Sequence, residues 1–351
     1  MCLEIFQDGK QYLQKFPSPN YFSMDIDASL FPSPVQAEEN PPLKFSFEGE
    51  GGEYFSIVIV NWLLTVLTLG FYYPWAKARK LSYLYSSTEL HGSRFTFHGT
   101  GNEMFKGFIK AILVFIILFG TMTFFRFMNA PILAILSFGL GLFLVYPVAL
   151  HGSYKYRMSR TSWRGIRLGY RGDRSELFSI FTKGVLLTIV TLGLYRSWLY
   201  INIRNYMLSR IRFGSLTFRY NGHGSDYFIL NLKGYILTIL TLGIYFFWWQ
   251  KELFDYYINN LSIESENRSI KLRSKASGGG FFKLFFVNML LLVFTIGLAS
   301  PWVLMRTMRF IFSNVEVKGN VNLDTIMQTE IEYTDATGED LSDLLDFGFV
   351  I

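Results

Sequence analysis

Cysteine and charge are both scarce in this chain of 351 residues. Cys2 is the only cysteine, so no disulfide can form within the chain. Charged residues make up 17% of the sequence, against about 25% in ordinary soluble domains. The motifs GxSxG, Walker A and HExxH are also missing, which removes the common signatures of hydrolases, nucleotide-binding proteins and zinc peptidases. We therefore expect no enzyme and assign no cofactor.

Charge is absent altogether from three long stretches, residues 54–76, 127–154 and 284–305. The hydrocarbon core of a bilayer takes about 20 apolar residues of helix, and each stretch is at least that long. The sequence therefore predicts an integral membrane protein with the lipid bilayer as its main partner.

The charges that remain are unevenly placed around a formal net charge of +6. Residues 321–351 contain no lysine or arginine, whereas their acids are Asp324, Glu330, Glu332, Asp335, Glu339, Asp340, Asp343 and Asp346. The rest of the chain is basic beside its hydrophobic runs, which suits a membrane with anionic lipid headgroups. We expect no nucleic-acid partner, because such binding needs a basic face away from the bilayer. Homo-oligomerisation stays open.

Both ends of the chain differ from its middle. The first 44 residues are rich in proline and lack a basic segment followed by an apolar one, so we expect no cleaved signal peptide. We predict a loosely ordered N-terminal tail at 1–44, a membrane domain at 45–319 and an acidic C-terminal tail at 320–351.

A fifteen-residue pattern recurs four times, and its copies align without gaps on one glycine. The copies are NWLLTVLTLGFYYPW (61–75), GVLLTIVTLGLYRSW (184–198), GYILTILTLGIYFFW (234–248) and NMLLLVFTIGLASPW (288–302). Each has threonine two residues before the glycine, tryptophan five residues after it and an aromatic residue thirteen after it. The glycines are Gly70, Gly193, Gly243 and Gly297.

A second, alternating pattern separates these copies and predicts short strands. It occurs as FSFEG (45–49), FTFHG (95–99), LGYRG (168–172), FRYNG (218–222), IKLRS (270–274) and VEVKG (315–319). A longer insert after the second strand keeps the register of the repeat and counts as a modified copy. The predicted fold is therefore an α+β membrane protein with about five helical units and six short strands on one side. The units are 45–99, 100–172, 173–222, 223–274 and 275–319.

Two membrane topologies fit this pattern. In the first, six spans near 54–75, 105–126, 130–151, 178–198, 228–249 and 283–304 alternate across the bilayer. In the second, each unit is a hairpin with both ends on the same side. Hairpins place every basic loop on the cytoplasmic side, except Arg126 at the tip of the insert. They also let all six strands pair, and we favour them.

The repeated Thr-Leu-Gly units with strands of the F-x-F-x-G type between them resemble the YjgN family. The resemblance covers residues 45–351 and includes the acidic end, ATGEDLSDLLDFGFVI (336–351). The fourth copy departs from the pattern at Ile296 and Ala299. The resemblance implies a multi-pass protein of the bacterial inner membrane and supplies no substrate or chemistry.

Polar and small residues form a stripe along the first part of each copy, at the i, i+4, i+7 spacing of one helix face. They are Asn61, Thr65, Thr68, Gly184, Thr188, Thr191, Gly234, Thr238, Thr241, Asn288 and Thr295. One interpretation is close helix packing through small residues. The other is a polar pathway between pseudo-symmetric repeats, as in transporters with broken helices.

Lysine precedes glycine near three helix starts, at Lys106, Lys183 and Lys233. Such residues either extend their charge to the membrane surface or bind an anion or a lipid headgroup. The four histidines, His91, His98, His151 and His223, have no metal-ligand spacing, and we predict no metal site.

Two functions fit these features. The first is a transporter or channel-like protein for a small, anionic solute, which the stripes motivate. The alternative is a membrane scaffold that binds lipid headgroups or a protein partner through its cytoplasmic strands.

Overall fold

The computed structural model of the protein describes residues 43–265, 268–319, 326–330 and 332–344. The predicted N-terminal tail at 1–44 lies outside these residues, apart from its last two positions.

Ten strands form one antiparallel sheet in which each strand pairs with the next along the chain. They are β1 (Phe45–Phe47), β2 (Thr88–Leu90), β3 (Ser93–Phe97), β4 (Thr161–Trp163), β5 (Ile166–Tyr170), β6 (Ile211–Phe213), β7 (Leu216–Tyr220), β8 (Leu261–Ser265), β9 (Arg268–Ser274) and β10 (Val315–Lys318). A bridge between Lys44 and Glu316 joins the two outer strands, so the sheet closes on itself as a small barrel.

Apolar side chains from all ten strands meet in one cluster and fill this barrel. Trp163 and Ile270 are each only 1% exposed, and Phe213 and Leu216 are also buried. The ring of Trp163 meets that of Phe213 edge-on, with 5.8 Å between centroids. The barrel is therefore a packed core and has no open channel along its axis.

Five helical hairpins rise from the barrel, each with a first arm and a second arm. In chain order they are α1 (Gly51–Leu67) with α2 (Tyr73–Ser86), α3 (Gly101–Phe127) with α4 (Pro131–Ser159), α5 (Arg174–Val190) with α6 (Arg196–Ser209), α7 (Gly224–Leu240) with α8 (Phe246–Asn259), and α9 (Gly278–Phe294) with α10 (Ser300–Ser313). A last helix, α11 (Thr337–Leu344), lies in the acidic tail. The prediction of about five helical units alternating with strands is confirmed.

The predicted number of six strands is wrong, because four further strands follow the second arms of four hairpins. These strands, β2, β4, β6 and β8, pair with the four predicted strands β3, β5, β7 and β9 that come next in the chain. Three of them have only three residues. A strand of that length is too short to show an alternating pattern in the sequence.

The six continuous spans are also wrong for four of the hairpins. The stretch 54–75 contains the end of α1, a turn and the start of α2, and the stretches 178–198, 228–249 and 283–304 break in the same way. Only 105–126 and 130–151 lie within single helices. The repeated glycine therefore marks the tip of a hairpin, as the second topology requires.

The repeated tryptophan locks four of the five hairpins against the next one. A Cβ atom added to Gly101, at the start of α3, would overlap the indole of Trp75 in α2. The same relation joins Gly224 to Trp198, Gly278 to Trp248 and, across the chain ends, Gly51 to Trp302. Since the last hairpin thus packs on the first, the hairpins form a closed ring above the barrel.

In three of the four copies, the residue thirteen positions after the glycine is a tyrosine whose hydroxyl fastens the base of its own hairpin. The Tyr83 hydroxyl accepts from the Glu50 N–H at 2.8 Å and donates to the Glu50 carbonyl. Tyr206 makes the same two contacts with the backbone of Asp173. Glu50 and Asp173 immediately precede first arms, so the hydroxyl accepts from an N–H that a helix start leaves unpaired. It also donates to a carbonyl that already accepts the first N–H of the helix.

Candidate functional site: apolar hairpin tips and a docked acidic tail

The tips of the four short hairpins expose large apolar side chains. Leu69, Leu192, Leu242 and Ile296 are between 91% and 95% exposed. Their neighbours are exposed as well, namely Leu67, Phe71, Val190, Leu194, Leu240, Ile244, Phe294 and Leu298. Contiguous apolar surface of this kind marks a site of membrane or protein contact.

Each tip turn satisfies its own backbone N–H groups. In the third hairpin, Thr191 Oγ1 accepts from the Tyr195 N–H at 3.0 Å, and the Gly193 N–H donates to the Thr188 carbonyl at 2.7 Å. The remaining N–H groups between residues 191 and 196 also donate to carbonyls of the turn or of the preceding arm. The other three short hairpins repeat this pattern. Such a turn can enter lipid, where an unpaired N–H costs several kcal/mol.

The threonine and glycine of the motif are both needed for this geometry. Gly193 has a φ of +94°, which L-residues rarely adopt, and a Cβ there would meet no other atom. The glycine is therefore required by backbone conformation and not by a close neighbour.

The second hairpin extends much farther than the other four. Its arms α3 and α4 have 27 and 29 residues and are both long and apolar enough to cross a bilayer. Lys110 and Arg126 bracket the apolar part of α3, and at 1.5 Å per residue they lie about 24 Å apart. This distance approaches the roughly 30 Å hydrocarbon core of a bilayer.

The residues of the predicted polar stripe face the opposite arm of their own hairpin or bond to their own helix. Gly184 packs against Leu199, Gly234 against Trp249, and the Asn288 amide donates to Thr307 Oγ1 at 3.1 Å. Six threonine hydroxyls each donate to the carbonyl four residues earlier in the same helix; they belong to Thr65, Thr68, Thr188, Thr191, Thr241 and Thr295. Asn61 and Thr238 have buried polar atoms without a hydrogen-bond partner among the described residues.

The three predicted headgroup lysines are exposed but do not occupy one structural position. Lys183 and Lys233 are each the tenth residue of a first arm, whereas Lys106 is the sixth residue of α3. Lys110 is the true equivalent in the second hairpin. Lys233 pairs with Glu252 in its own hairpin at 2.8 Å. No acid pairs with Lys106 or Lys183 within the described part of the chain.

The histidines are scattered over the base of the molecule. His98 Nε2 lies 2.7 Å from Ser162 Oγ, and the His223 carbonyl accepts from Tyr256. His151 packs edge-on against Tyr170. His91 adopts a φ of +48° in the turn between β2 and β3. Across the described residues, no three His, Cys, Asp or Glu side chains lie together as metal ligands would.

The acidic tail runs from the barrel along the second hairpin and pairs with basic residues at each step. Ile326 joins the barrel core, and the Thr329 hydroxyl donates to the Gly214 carbonyl at 2.9 Å. Four ion pairs follow, those of Glu330 with Arg171, Glu332 with Arg160, Glu332 with Arg167, and Asp335 with Lys110. The tail thus binds the basic surface of its own chain.

The described part of the tail reaches a buried charge cluster between α2, α4 and α11. Glu339 is fully buried and lies 3.1 Å from Lys77 Nζ, 2.5 Å from Arg157 Nη2 and 2.7 Å from Ser153 Oγ. Asp340, 1% exposed, lies 3.6 Å from the same lysine. Burial alone would raise the pKa of Glu339, but Lys77 and Arg157 outweigh it and keep the pKa below its usual value.

The comparisons with known proteins identify the family. The family described as "Bacterial protein of unknown function (DUF898)" matches residues 42–221 and 249–344. The chain belongs to this family. Inner membrane protein YjgN of Salmonella typhimurium strain LT2 is 32% identical over 156 residues, which are 44% of this chain and 38% of the relative. YjgN of Escherichia coli K12 is 32% identical over 130 residues, 37% of this chain and 31% of the relative.

These matches confirm the resemblance to the YjgN family, and the chain is a bacterial inner-membrane protein. The matched segments span less than two fifths of the curated relatives. No solved structure matches the chain.

Sequence reasoning left Lys110 out of the three candidate headgroup lysines and missed Lys77 and Arg157. The first could have been found from helix starts, because Thr100 and Asp173 both cap a first arm and are both followed three residues later by glutamate. Counting ten residues from these caps gives Lys110 and Lys183. Lys77 and Arg157 meet Glu339 from about 180 residues or more away along the chain, and no local pattern reveals such a contact.

Proposed function

We propose that this protein is a membrane-anchored scaffold in which the second hairpin crosses the inner membrane and the four short hairpins enter one leaflet. The observation that carries the proposal is the set of four exposed apolar tips whose turns pair all their own backbone N–H groups. In water such tips would be unfavourable, whereas in a bilayer they need no covering protein.

The positions of the lysines set the depth of each hairpin. Lys183 lies nine residues before Leu192, so the third tip reaches about 13 Å beyond the level of the lysine. That is close to half of a hydrocarbon core of about 30 Å. Lys110 lies sixteen residues before Arg126, and about 24 Å of helix plus two extended basic side chains can reach both membrane surfaces.

The charges favour a barrel on the cytoplasmic side. The strands and the turns between them carry Arg164, Arg167, Arg212, Arg219, Lys271 and Arg273. Basic residues near membrane segments collect on the cytoplasmic side. The barrel, the hairpin bases and the docked tail then form a platform beneath the membrane.

The transport hypothesis has less support. A path along the axis would meet the filled barrel, and the residues of the polar stripe are used within individual hairpins. Transport would therefore need a path outside the barrel, and we favour the scaffold.

The proposal is tested by labelling single cysteines in a Cys2→Ser protein with a membrane-impermeant thiol reagent. Ser225→Cys at the base should react only from the cytoplasm, and Asn129→Cys at the second tip only from the periplasm. Leu192→Cys at the third tip should react from neither side of intact membranes. It should react once the protein is solubilised in detergent. Reaction of Leu192→Cys from the periplasm would show that the third hairpin spans the membrane and would reject the proposal.

A further inference from the structure

The groove between the two arms of the second hairpin receives the acidic tail because small residues line its walls. Ala336 lies against Gly107, and Gly338 lies against Gly152. Leu341 packs with Ala111 and Ala149 deeper in the groove. Just before this contact along the tail, Glu332 pairs with Arg160 and Asp335 pairs with Lys110. The groove therefore combines a narrow apolar floor with two cations.

The third hairpin repeats both cations at equivalent positions. Its first arm, α5, begins 73 residues after α3 begins, and its second arm, α6, ends 50 residues after α4 ends. Lys110 therefore corresponds to Lys183, and Arg160 corresponds to Arg210. The base ion pair is repeated as well, since Arg210 lies 2.9 Å from Glu176 as Arg160 pairs with Glu103.

No other hairpin carries this pair of cations. The two equivalent positions are occupied by Val60 and Ser87 in the first hairpin, Lys233 and Asn260 in the fourth, and Val287 and Asn314 in the fifth. The second and third hairpins are therefore the two that can bind an anion in this way.

The groove of the third hairpin is open, with a volume of about 610 Å³. Lys183, Asn202, Asn205 and Arg210 give it a polar end, and Leu187 lines its apolar end towards the exposed tip. Arg210 is 40% exposed, whereas Arg160 beneath the tail is 4% exposed. Among the described residues, no segment of the chain fills this groove as the tail fills the other.

The walls of the third groove exclude a helix like α11. Gly107, Ala149 and Gly152 are replaced by Ile180, Leu199 and Asn202, and Leu199 already packs on Gly184. A helix backbone could not approach as Gly338 approaches Gly152, where even a Cβ would overlap. The occupant must be narrower than a helix, anionic at the base and apolar towards the tip.

We infer that the third groove binds an anionic phospholipid, with the phosphate between Lys183 and Arg210 and one acyl chain along Leu187 towards the tip. This inference rests on the proposed insertion of the third hairpin into one leaflet, which brings the groove to the level of lipid headgroups. Two cations close to a phosphate supply charge-assisted hydrogen bonds, and the adjacent membrane supplies the ligand.

The test uses the full chain in a non-ionic detergent and measures its thermal-unfolding midpoint as dioleoylphosphatidylglycerol is added. We expect a saturable rise that dioleoylphosphatidylcholine does not produce. Lys183→Gln should raise the half-saturating concentration roughly fivefold, since one cation near a phosphate contributes about that factor. Lys106→Gln is the matched control, because this exposed lysine lies outside the groove, and it should leave the value unchanged.

A second variant, Asn202→Trp, fills the groove from an exposed position and should abolish the rise without lowering the starting midpoint. Equal effects of Lys183→Gln and Lys106→Gln would overturn the inference in favour of diffuse charge attraction. An equal rise with inorganic phosphate would overturn it by removing the role of the acyl chain. Either result leaves the leaflet insertion of the hairpins intact, because labelling of Leu192→Cys tests that separately.

Discussion

The second and third hairpins have equivalent residues at their bases, but they differ in length and in what covers them. Both have a lysine ten residues after the N-cap, a glutamate–arginine ion pair and a clamping tyrosine, Tyr156 or Tyr206. Yet α3 has 27 residues against 17 in α5, and the described part of the tail covers the groove of the second hairpin and not that of the third. The base thus builds the ring, whereas we propose that arm length sets the depth in the membrane and that wall size selects the partner.

The largest effect on this comparison should come from Arg157→Leu, which leaves Glu339 buried with one cation fewer. Breaking a buried ion pair costs about 3–5 kcal/mol, so the free energy of unfolding in detergent should fall by that order. The equivalent position in the third hairpin is Met207, which no tail covers. Met207→Leu should cost less than about 1.5 kcal/mol. Equal losses of unfolding free energy in the two variants would show that the buried charge cluster does not stabilise the second hairpin.

Thr191→Val should have the next largest effect, because it leaves the Tyr195 N–H without an acceptor at the third tip. A buried unsatisfied donor costs about 1–3 kcal/mol. Thr188→Val removes only a bond to the Gly184 carbonyl and should cost less than about 1 kcal/mol. Titration with a denaturing detergent measures both. If the two variants were equally stable and both abolished solute flux, the polar pathway would replace the scaffold.

The next comparison is between the effects on stability of replacing two different glycines by alanine. Gly193→Ala forces an L-residue to a φ of +94° and should destabilise the protein by about 1–2 kcal/mol. Gly120 lies inside α3 with no atom near its missing Cβ. Gly120→Ala should be neutral or stabilise by up to about 1 kcal/mol, as helix propensity requires. The unfolding midpoint should therefore fall for Gly193→Ala and stay the same or rise for Gly120→Ala.

The smallest change is expected when the pH falls from 7 to 5. Hydrogen bonds from Arg160 and Arg167 lower the pKa of Glu332, and Lys77 and Arg157 lower that of Glu339 against its burial. An acid with a lowered folded-state pKa contributes stability above its unfolded-state value of about 4.3, and loses it as the pH falls through the folded-state value. The amides of α11 should therefore stay protected from exchange at pH 5 and lose this protection only below about pH 4. Fast exchange already at pH 5 would contradict the ion-pair account of docking.

The hairpins were predictable because their turn repeats a strict local pattern. Threonine accepts an N–H, glycine takes a positive φ, and tryptophan meets a glycine at the start of the next hairpin, so one register specifies both the turn and the ring. The extra strands were not predictable, since TEL (88–90), TSW (161–163) and IRF (211–213) become strands only through the neighbours with which they pair.

The equivalence of Lys106 with Lys183 was misjudged for a different reason. The adjacent glycine suggested a shared Lys-Gly pair, but Gly107 is small to admit Ala336 of the tail, while Gly184 is small to admit Leu199. The same residue type serves two contacts, and only the helix caps fix the alignment. The buried position of Glu339 follows from partners in α2 and α4 and cannot be read from the tail alone.

The depth of the two tips in the bilayer tests the central claim most directly. Spin labels at Leu192→Cys and Asn129→Cys, in a reconstituted Cys2→Ser protein, would report collisions with oxygen and with a water-soluble nickel chelate. The account predicts that the label at 192 collides mainly with oxygen, near the centre of the bilayer, and the label at 129 mainly with the chelate, in water. A label at 192 that collides mainly with the chelate would contradict it.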